Sequence, residues 1–285
     1  FFKTNDTNDL TKKINLFYSN TNFRYKLKSK FKYYFSNLRK ITPSKQHAEI
    51  ILNSQNIKKT NSSKSYSVYA SDKYIKSLNS HRNIEYIINR IKEIIFRFLY
   101  NNDPWLTPAA NKILSNILKK NFTGFEFGSG KSTIWFSKRI KHITSLETSK
   151  IWFNKVLKIL KKNNLKNVDL ICMDKEEENF KIKYLNVLSK FNDEYFDFIL
   201  VDALFRDECT HLAIKKLKPG GFLILDNVNR YLPFETISPF SIKKNESPLN
   251  ALWEKIYDET LSKWHTLHTS NGVSDTAIFT KPKSK

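Results

Sequence analysis

From residue 81 onward the apolar positions recur with a period that changes from segment to segment. Ile84, Ile87, Ile88, Ile91, Ile94, Ile95 and Phe98 fall at helical spacing and predict a long helix with one apolar face. Glu85, Arg90, Lys92, Glu93 and Arg97 interrupt it, so it reads as amphipathic; a membrane span needs about 18 consecutive apolar residues, and no run here approaches that. Asp103-Pro104 breaks the pattern. Thr107 then stands as an N-cap before Pro108, opening a second helix that runs to about residue 120. Beyond it strands and helices alternate. Strands are predicted over 122–127, 142–146, 168–173, 196–201 and 221–225, and helices over 132–141, 150–162 and 207–217. Segments 264–270 and 276–281 flank Asn271-Gly272, the turn of an antiparallel hairpin.

This order predicts an α/β fold: a doubly wound, seven-stranded, mostly parallel sheet ending in an antiparallel hairpin. Residues 1–80 are polar, basic and weakly periodic. A helix is predicted over 23–41 and a linker over 53–67, giving a basic, partly helical N-terminal extension. Residues 81–121 form a helical lead-in, and 122–285 the main domain. No internal repeat is visible.

Charge alters the picture at the N-terminus. The chain carries a net +22, of which residues 1–100 contribute +14, from 20 basic and 6 acidic residues. Such an arm suits nucleic acid, anionic lipid or an acidic substrate. The alternative is a composition-wide bias, since Lys, Asn and Ile are abundant throughout. Cys172 and Cys209 have no metal-ligand spacing and are expected as free thiols in a reducing, cytoplasmic setting. The chain begins at Phe1 rather than Met and is read as trimmed, which leaves a preceding targeting segment open.

With only six glycines in the chain, their places are informative. Gly128 and Gly130 separate the first strand from its helix, and Gly220-Gly221 precede the fifth strand. Gly124 has no evident role. Two phosphate-binding readings of the first turn fail on spacing. A P-loop would need glycine at Phe125, and a dinucleotide fingerprint would need one at Thr133.

The stretch Glu126-Phe127-Gly128-Ser129-Gly130-Lys131-Ser132-Thr133 resembles motif I of the class I S-adenosylmethionine-dependent methyltransferases. That resemblance implies a glycine turn in which Glu126, Gly128, Ser129, Gly130, Ser132 and Thr133 approach the amino-acid end of the cofactor. Glu147, 21 residues after Glu126, ends the second strand, where a carboxylate can accept both ribose hydroxyls. Asp174 follows the third strand; the family commonly places an acidic residue there against the adenine amino group. Residues 195–202 look like the family's fourth strand, with Asp202 beside the methyl-transfer centre. Residues 217–227 look like the following turn and fifth strand. The order and spacing of these matches over about 100 residues carry the resemblance.

Asp202 and the pair Asp226-Asn227 end neighbouring strands. Two carboxylates and an amide oxygen suit Mg²⁺ or another hard divalent cation. The pattern is similar to catechol-type O-methyltransferases, in which such an ion orients the acceptor hydroxyl. That family places a Lys three residues after the first Asp; here the position is Phe205, followed by Arg206. The other reading is that Asp202 orients substrate and Asp226-Asn227 caps the next segment.

Methyl transfer is a displacement at carbon that needs in-line positioning and a deprotonated acceptor. Asp202 is the candidate base, with His211 second. Trp105, Arg206, Asn229 and Arg230 are the candidate acceptor-binding residues. His265 and His268 are expected to be structural. The expected function is therefore methyl transfer to a hydroxyl of a small molecule or glycan. An RNA methyltransferase using the basic arm is the first alternative. A catalytically inactive methyltransferase fold serving as a binding subunit is the second.

Overall fold

The computed structural model describes residues 84–283. The basic extension, with its predicted helix at 23–41 and linker at 53–67, lies outside the described residues. Two helices lead in, α1 (Ile84–Leu99) and α2 (Pro108–Ile117). Then follow β1 (Thr123–Phe127), α3 (Lys131–Ser137), β2 (His142–Glu147), α4 (Lys150–Lys162), β3 (Val168–Cys172), α5 (Phe180–Ser189), β4 (Phe196–Val201) and α6 (Arg206–Lys216). The chain ends with β5 (Leu217–Asp226), α7 (Ala251–Glu259), β6 (His265–Ser270) and β7 (Asp275–Thr280).

The seven strands form one sheet in the order β3-β2-β1-β4-β5-β7-β6. β1 to β5 run parallel, and β7 is antiparallel to both β5 and β6. This is the Rossmann-like arrangement that the methyltransferase resemblance implies. β1 and β4, at the centre, are almost wholly buried, as expected where helices cover both faces. One face carries a core of Phe125, Phe127, Val201, Leu225 and Phe279 under Tyr184, Leu188, Cys209 and Trp253 of α5, α6 and α7. The other packs Phe198, Leu200, Ile224 and Ile278 against Ala110, Leu114, Trp135 and Phe136 of α2 and α3. Gly124 gains a role here: a Cβ on it would lie 2.3 Å from the Phe198 ring, so only glycine lets that ring lie across β1.

The structure departs from the sequence pattern at several places. α5 and α7 were not predicted; each is short, and each buries only two side chains, Tyr184 with Leu188 and Trp253 with Ile256. α3 stops at Ser137 rather than 141, because the Lys141 and His142 amides turn to the Phe122 carbonyl. β5 starts at Leu217 rather than 221. Phe196 pairs with Leu217 but Phe198 with Phe222, so the Lys218–Gly221 stretch bulges out of the ladder. The largest departure is α1. Ile84 and Ile88, on the predicted apolar face, are 75% and 45% exposed, whereas Glu93 is 2% exposed. Tyr86 and Phe96 are the apolar side chains that α1 buries.

Candidate functional site

The sheet reverses its winding between β1 and β4, and open α/β sheets bind ligands at the carboxyl end of such a switch point. There the two strand ends are tied together: the Asp202 amide donates to the Phe127 carbonyl at 3.0 Å, and the Gly128 amide to the Leu146 carbonyl at 2.8 Å. Gly128 has φ +97°, and a Cβ would sit 2.7 Å from the Asp202 carbonyl oxygen, so this turn requires glycine twice over. Gly130 differs. Its backbone is extended, and a Cβ would meet nothing within 4 Å. Gly128 thus closes the turn, while Gly130 keeps the space in front of it open.

Glu126 and Thr133 lie behind the turn, fully buried, and neither lines a cavity. The Gly130 amide donates to Thr133 Oγ1 at 2.9 Å, and Thr133 in turn donates to Glu126 Oε1. Ser145 Oγ donates to the same oxygen at 2.6 Å. Glu126 Oε2 is buried with no partner among the described residues. Burial pushes this carboxyl up to about 7, against the pull of its hydroxyl donors. Glu126 therefore shapes the glycine turn from underneath.

Glu147, at the end of β2, does reach the cavity wall. Its Oε2 accepts from Ser129 N at 3.1 Å and Ser129 Oγ at 2.9 Å; its Oε1 accepts from Thr148 N and Ser149 N at 2.8 and 2.7 Å. Four donors fix the carboxylate in place. Asp174 is exposed, caps the Glu176 amide at 3.0 Å, and does not line the cavity; the neighbouring Lys175 does. The cavity measures about 300 Å³ and is bounded by Gly128–Ser132, Glu147, Trp152, Asp202 and Leu204, with Trp105 at its rim. Trp105 is 53% exposed, stands edge-on to Trp152 at 6.3 Å, and lies under the Arg97 guanidinium at 5.2 Å. It overhangs the cleft rather than filling the core.

Asp202 also borders a second cavity of about 340 Å³, shared with Trp105 and walled by α1 and the loop after β5. The backbone leaves both strand ends in left-handed conformations, φ +49° at Phe205 and +50° at Asn227, a strain of a kind that collects at functional sites. Arg206 Nη2 donates to Asp202 Oδ1 at 2.9 Å, its Nε to the Ala203 carbonyl at 3.0 Å, and its Nη1 to the Asp226 carbonyl. Burial raises the Asp202 carboxyl, with Arg206 opposing the rise. Asp226 is buried, accepts from Thr276 Oγ1 at 2.8 Å, and is pushed up to about 7, chiefly by burial and then by the Asp202 charge.

These contacts do not fit the divalent cation expected from the sequence. The Arg206 guanidinium stands between the two strand ends where the cation would be, and the Asp226 carboxyl is committed to Thr276 inside the protein. No group of three metal-capable side chains occurs among the described residues.

His211 lies exposed on α6 and borders neither cavity. Asn229 is 1% exposed and holds the loop after β5, donating to the Pro239 carbonyl at 2.9 Å and to Ser241 Oγ at 3.0 Å. Arg230 does border the second cavity, with its guanidinium over Phe240 at 5.3 Å. His268 pairs with buried Asp275 at 3.0 Å and stacks on Phe234 at 4.3 Å, a supporting role. The sequence reading missed the contribution of α1. Arg90 and Arg97 both pair with the buried Glu93 on the wall of the second cavity. Their i, i+3 and i, i+4 spacing from Glu93 was the available signal.

No protein-family model matches the chain, and no curated protein matches it in sequence. Among solved structures it is similar to a methyltransferase-like protein from Silicibacter pomeroyi, at 17% identity, covering 64% of this chain and 91% of that one, with a TM-score of 0.44. It is similar also to an rRNA methylase from Streptococcus thermophilus, at 10% identity over 61% of this chain and 95% of that one, TM-score 0.42. A SAM-dependent methyltransferase from Aquifex aeolicus matches at 14% identity over 61% of this chain and 89% of that one, TM-score 0.39.

Proposed function

We propose that this chain transfers a methyl group from S-adenosylmethionine to a hydroxyl of a small molecule or glycan. The observation that carries the reading is the convergence of the Gly128–Gly130 turn, Glu147 and Asp202 on one cavity at the β1/β4 switch point. The open space before Gly130 admits the amino-acid end of the cofactor to the backbone. Glu147 receives the ribose hydroxyls as Ser129 Oγ rotates away, while the backbone amides of Ser129, Thr148 and Ser149 keep the carboxylate in place. Thr148, Trp152 and Lys175 line the same cavity on the β2–β3 side, which supports a place for them, rather than Asp174, beside the adenine. The volume of about 300 Å³ lies at the lower end of the range of ligand pockets, ~300–1,000 Å³.

The bound cofactor supplies an electrophilic methyl on a sulfonium. The acceptor oxygen forms the new C–O bond as the C–S bond breaks, and the departing pair stays on sulfur. Asp202 stands at the border of both cavities with about a third of its side chain exposed. Arg206 holds one of its oxygens, and the other takes the hydroxyl proton and returns it to solvent. A carboxyl raised above the ordinary range is a stronger base than a solvated one.

The test is calorimetric titration of the whole chain with S-adenosylhomocysteine, beside Gly130→Val, which fills the open space without touching the backbone. Micromolar binding that the variant abolishes supports the cofactor assignment; a folded wild type that does not bind removes it. Hydroxylated compounds and RNA are then offered with labelled cofactor. Label found on RNA alone would replace the acceptor half of the proposal.

A further inference from the structure

Building on that reading, we infer that the second cavity takes its acceptor by an anionic group, a carboxylate or a phosphate, gripped by Arg97 and Arg230. The argument starts from formal charge. Arg90, Arg97 and Arg230 border the cavity, and Arg206 pairs with Asp202, which borders it too. Glu93 and Asp202 are the opposing carboxylates. Each is already paired with a guanidinium, and Glu93 is shared between two of them. The remaining acid, Asp226, is buried, with its Oδ1 held by Thr276 Oγ1 at 2.8 Å. Among the described residues, four guanidiniums therefore stand beside three carboxyls around this cavity.

Geometry points the same way. Glu93 Oε1 receives Arg97 Nε at 2.9 Å and Nη2 at 2.5 Å, and Nη2 also reaches the Trp105 carbonyl at 3.2 Å. This clamp fixes the plane of the guanidinium. Its Nη1 is buried and has no partner among the described residues. A planar fork with a spare donor is suited to carboxylate or phosphate oxygens. Arg230 reaches the cavity from the opposite loop, resting on Phe240. Pro239, Phe240 and Val273 give the same cavity an apolar side. The acceptor so described is a hydroxylated acid or phosphate with an apolar part, its anion between Arg97 and Arg230 and its hydroxyl toward Asp202. Arg206, by neutralising Asp202, lets an anion approach the base.

The experiment is ligand-observed NMR on the whole chain saturated with S-adenosylhomocysteine. The probes are benzoate, its neutral isostere benzamide, and inorganic phosphate. We expect benzoate, phosphate or both to bind, and benzamide not to. Benzoate alone would assign a carboxylate and phosphate alone a phosphate. Arg97→Gln and Arg230→Gln should each weaken the bound anion roughly tenfold or more, the loss of one charge-assisted hydrogen bond, with S-adenosylhomocysteine affinity unchanged in Arg230→Gln. Arg230 is exposed, so Arg230→Gln decides the matter if Arg97→Gln unseats α1. Anions that bind no better than benzamide, or that bind the Arg230 variant as well as the wild type, overturn the inference. Failure of the wild type to bind S-adenosylhomocysteine is a separate result and strikes the cofactor reading instead.

Discussion

Arg206 and Asp202 form an i, i+4 ion pair at the mouth of the site, Nη2 to Oδ1 2.9 Å, and the same guanidinium also reaches the main chain of Asp226. One side chain thus ties the end of β4, which borders both cavities, to the end of β5, which borders the second. Arg206 favours the ionised form of Asp202, which burial disfavours. Removing the guanidinium must therefore raise the Asp202 carboxyl further. A base works only when deprotonated, so in Arg206→Gln the acid limb of the kcat/KM profile should move to higher pH, with activity recovering on its alkaline side. A limb at the wild-type position would remove Asp202 as the base.

The same guanidinium fills the place of a divalent cation. Methyl transfer should accordingly proceed at the same rate in excess EDTA as in Mg²⁺. A rate that collapses in EDTA and returns with Mg²⁺ would mean that Arg206 moves aside for a metal.

The two glycines of the first turn should behave differently. Gly128→Ala places a Cβ 2.7 Å from a carbonyl oxygen at φ +97°, and should cost roughly 1–3 kcal/mol of stability. Gly130→Val places its Cβ where nothing lies within 4 Å, and should lower Tm little while abolishing cofactor binding. Denaturant melts and calorimetry on both variants separate the two effects; equal destabilisation would contradict the geometry.

Glu126 carries a pH signature. Its carboxyl rises from about 4.5 to about 7 on folding, so the native state holds the proton more tightly than the unfolded chain. The contribution to stability is fully present below about pH 4.5 and is lost as pH rises through about 7. Glu126→Gln keeps the acceptor for Ser145 and Thr133 and has no charge to bury. It should gain up to about 3 kcal/mol on the wild type at pH 8, and far less at pH 5. A difference in stability independent of pH between those values would refute the assignment.

Gly124 and Phe198 should couple strongly. Gly124→Ala overpacks the ring and should cost about 1–3 kcal/mol, and Phe198→Leu should relieve much of that cost. The double-mutant cycle measures it; additive effects would show that the ring had already moved away.

What was legible in the sequence followed from local demands on the backbone. The alternation of strand and helix, the Asn-Gly hairpin and the Gly128 turn are each dictated by a residue's own conformational range or by the spacing of apolar side chains. Glu147 and Asp202 were legible for a related reason: a strand end at the carboxyl edge of a parallel sheet delivers its side chain to the cleft. Asp174 after β3, His211 within α6 and Asn229 beyond β5 point to solvent or into a loop, because their orientation depends on how neighbouring segments pack.

Only the tertiary structure decided the second cavity. The periodicity of α1 directs its isoleucines inward, but Ile84 and Ile88 are exposed and Glu93 is buried. A buried carboxylate is tolerable only when paired, and the two guanidiniums that pair it come from the same helix. That face of the helix shares the second cavity with nearby Trp105 and with the loops after β5 and β6, which are distant in sequence. The place of Arg206 was decided the same way. The sequence puts it one residue beyond the expected lysine, and the left-handed turn at Phe205 aims it back between Asp202 and Asp226. Local chemistry set the fold and the glycine turn; the meeting of remote segments set the charge of the second cavity.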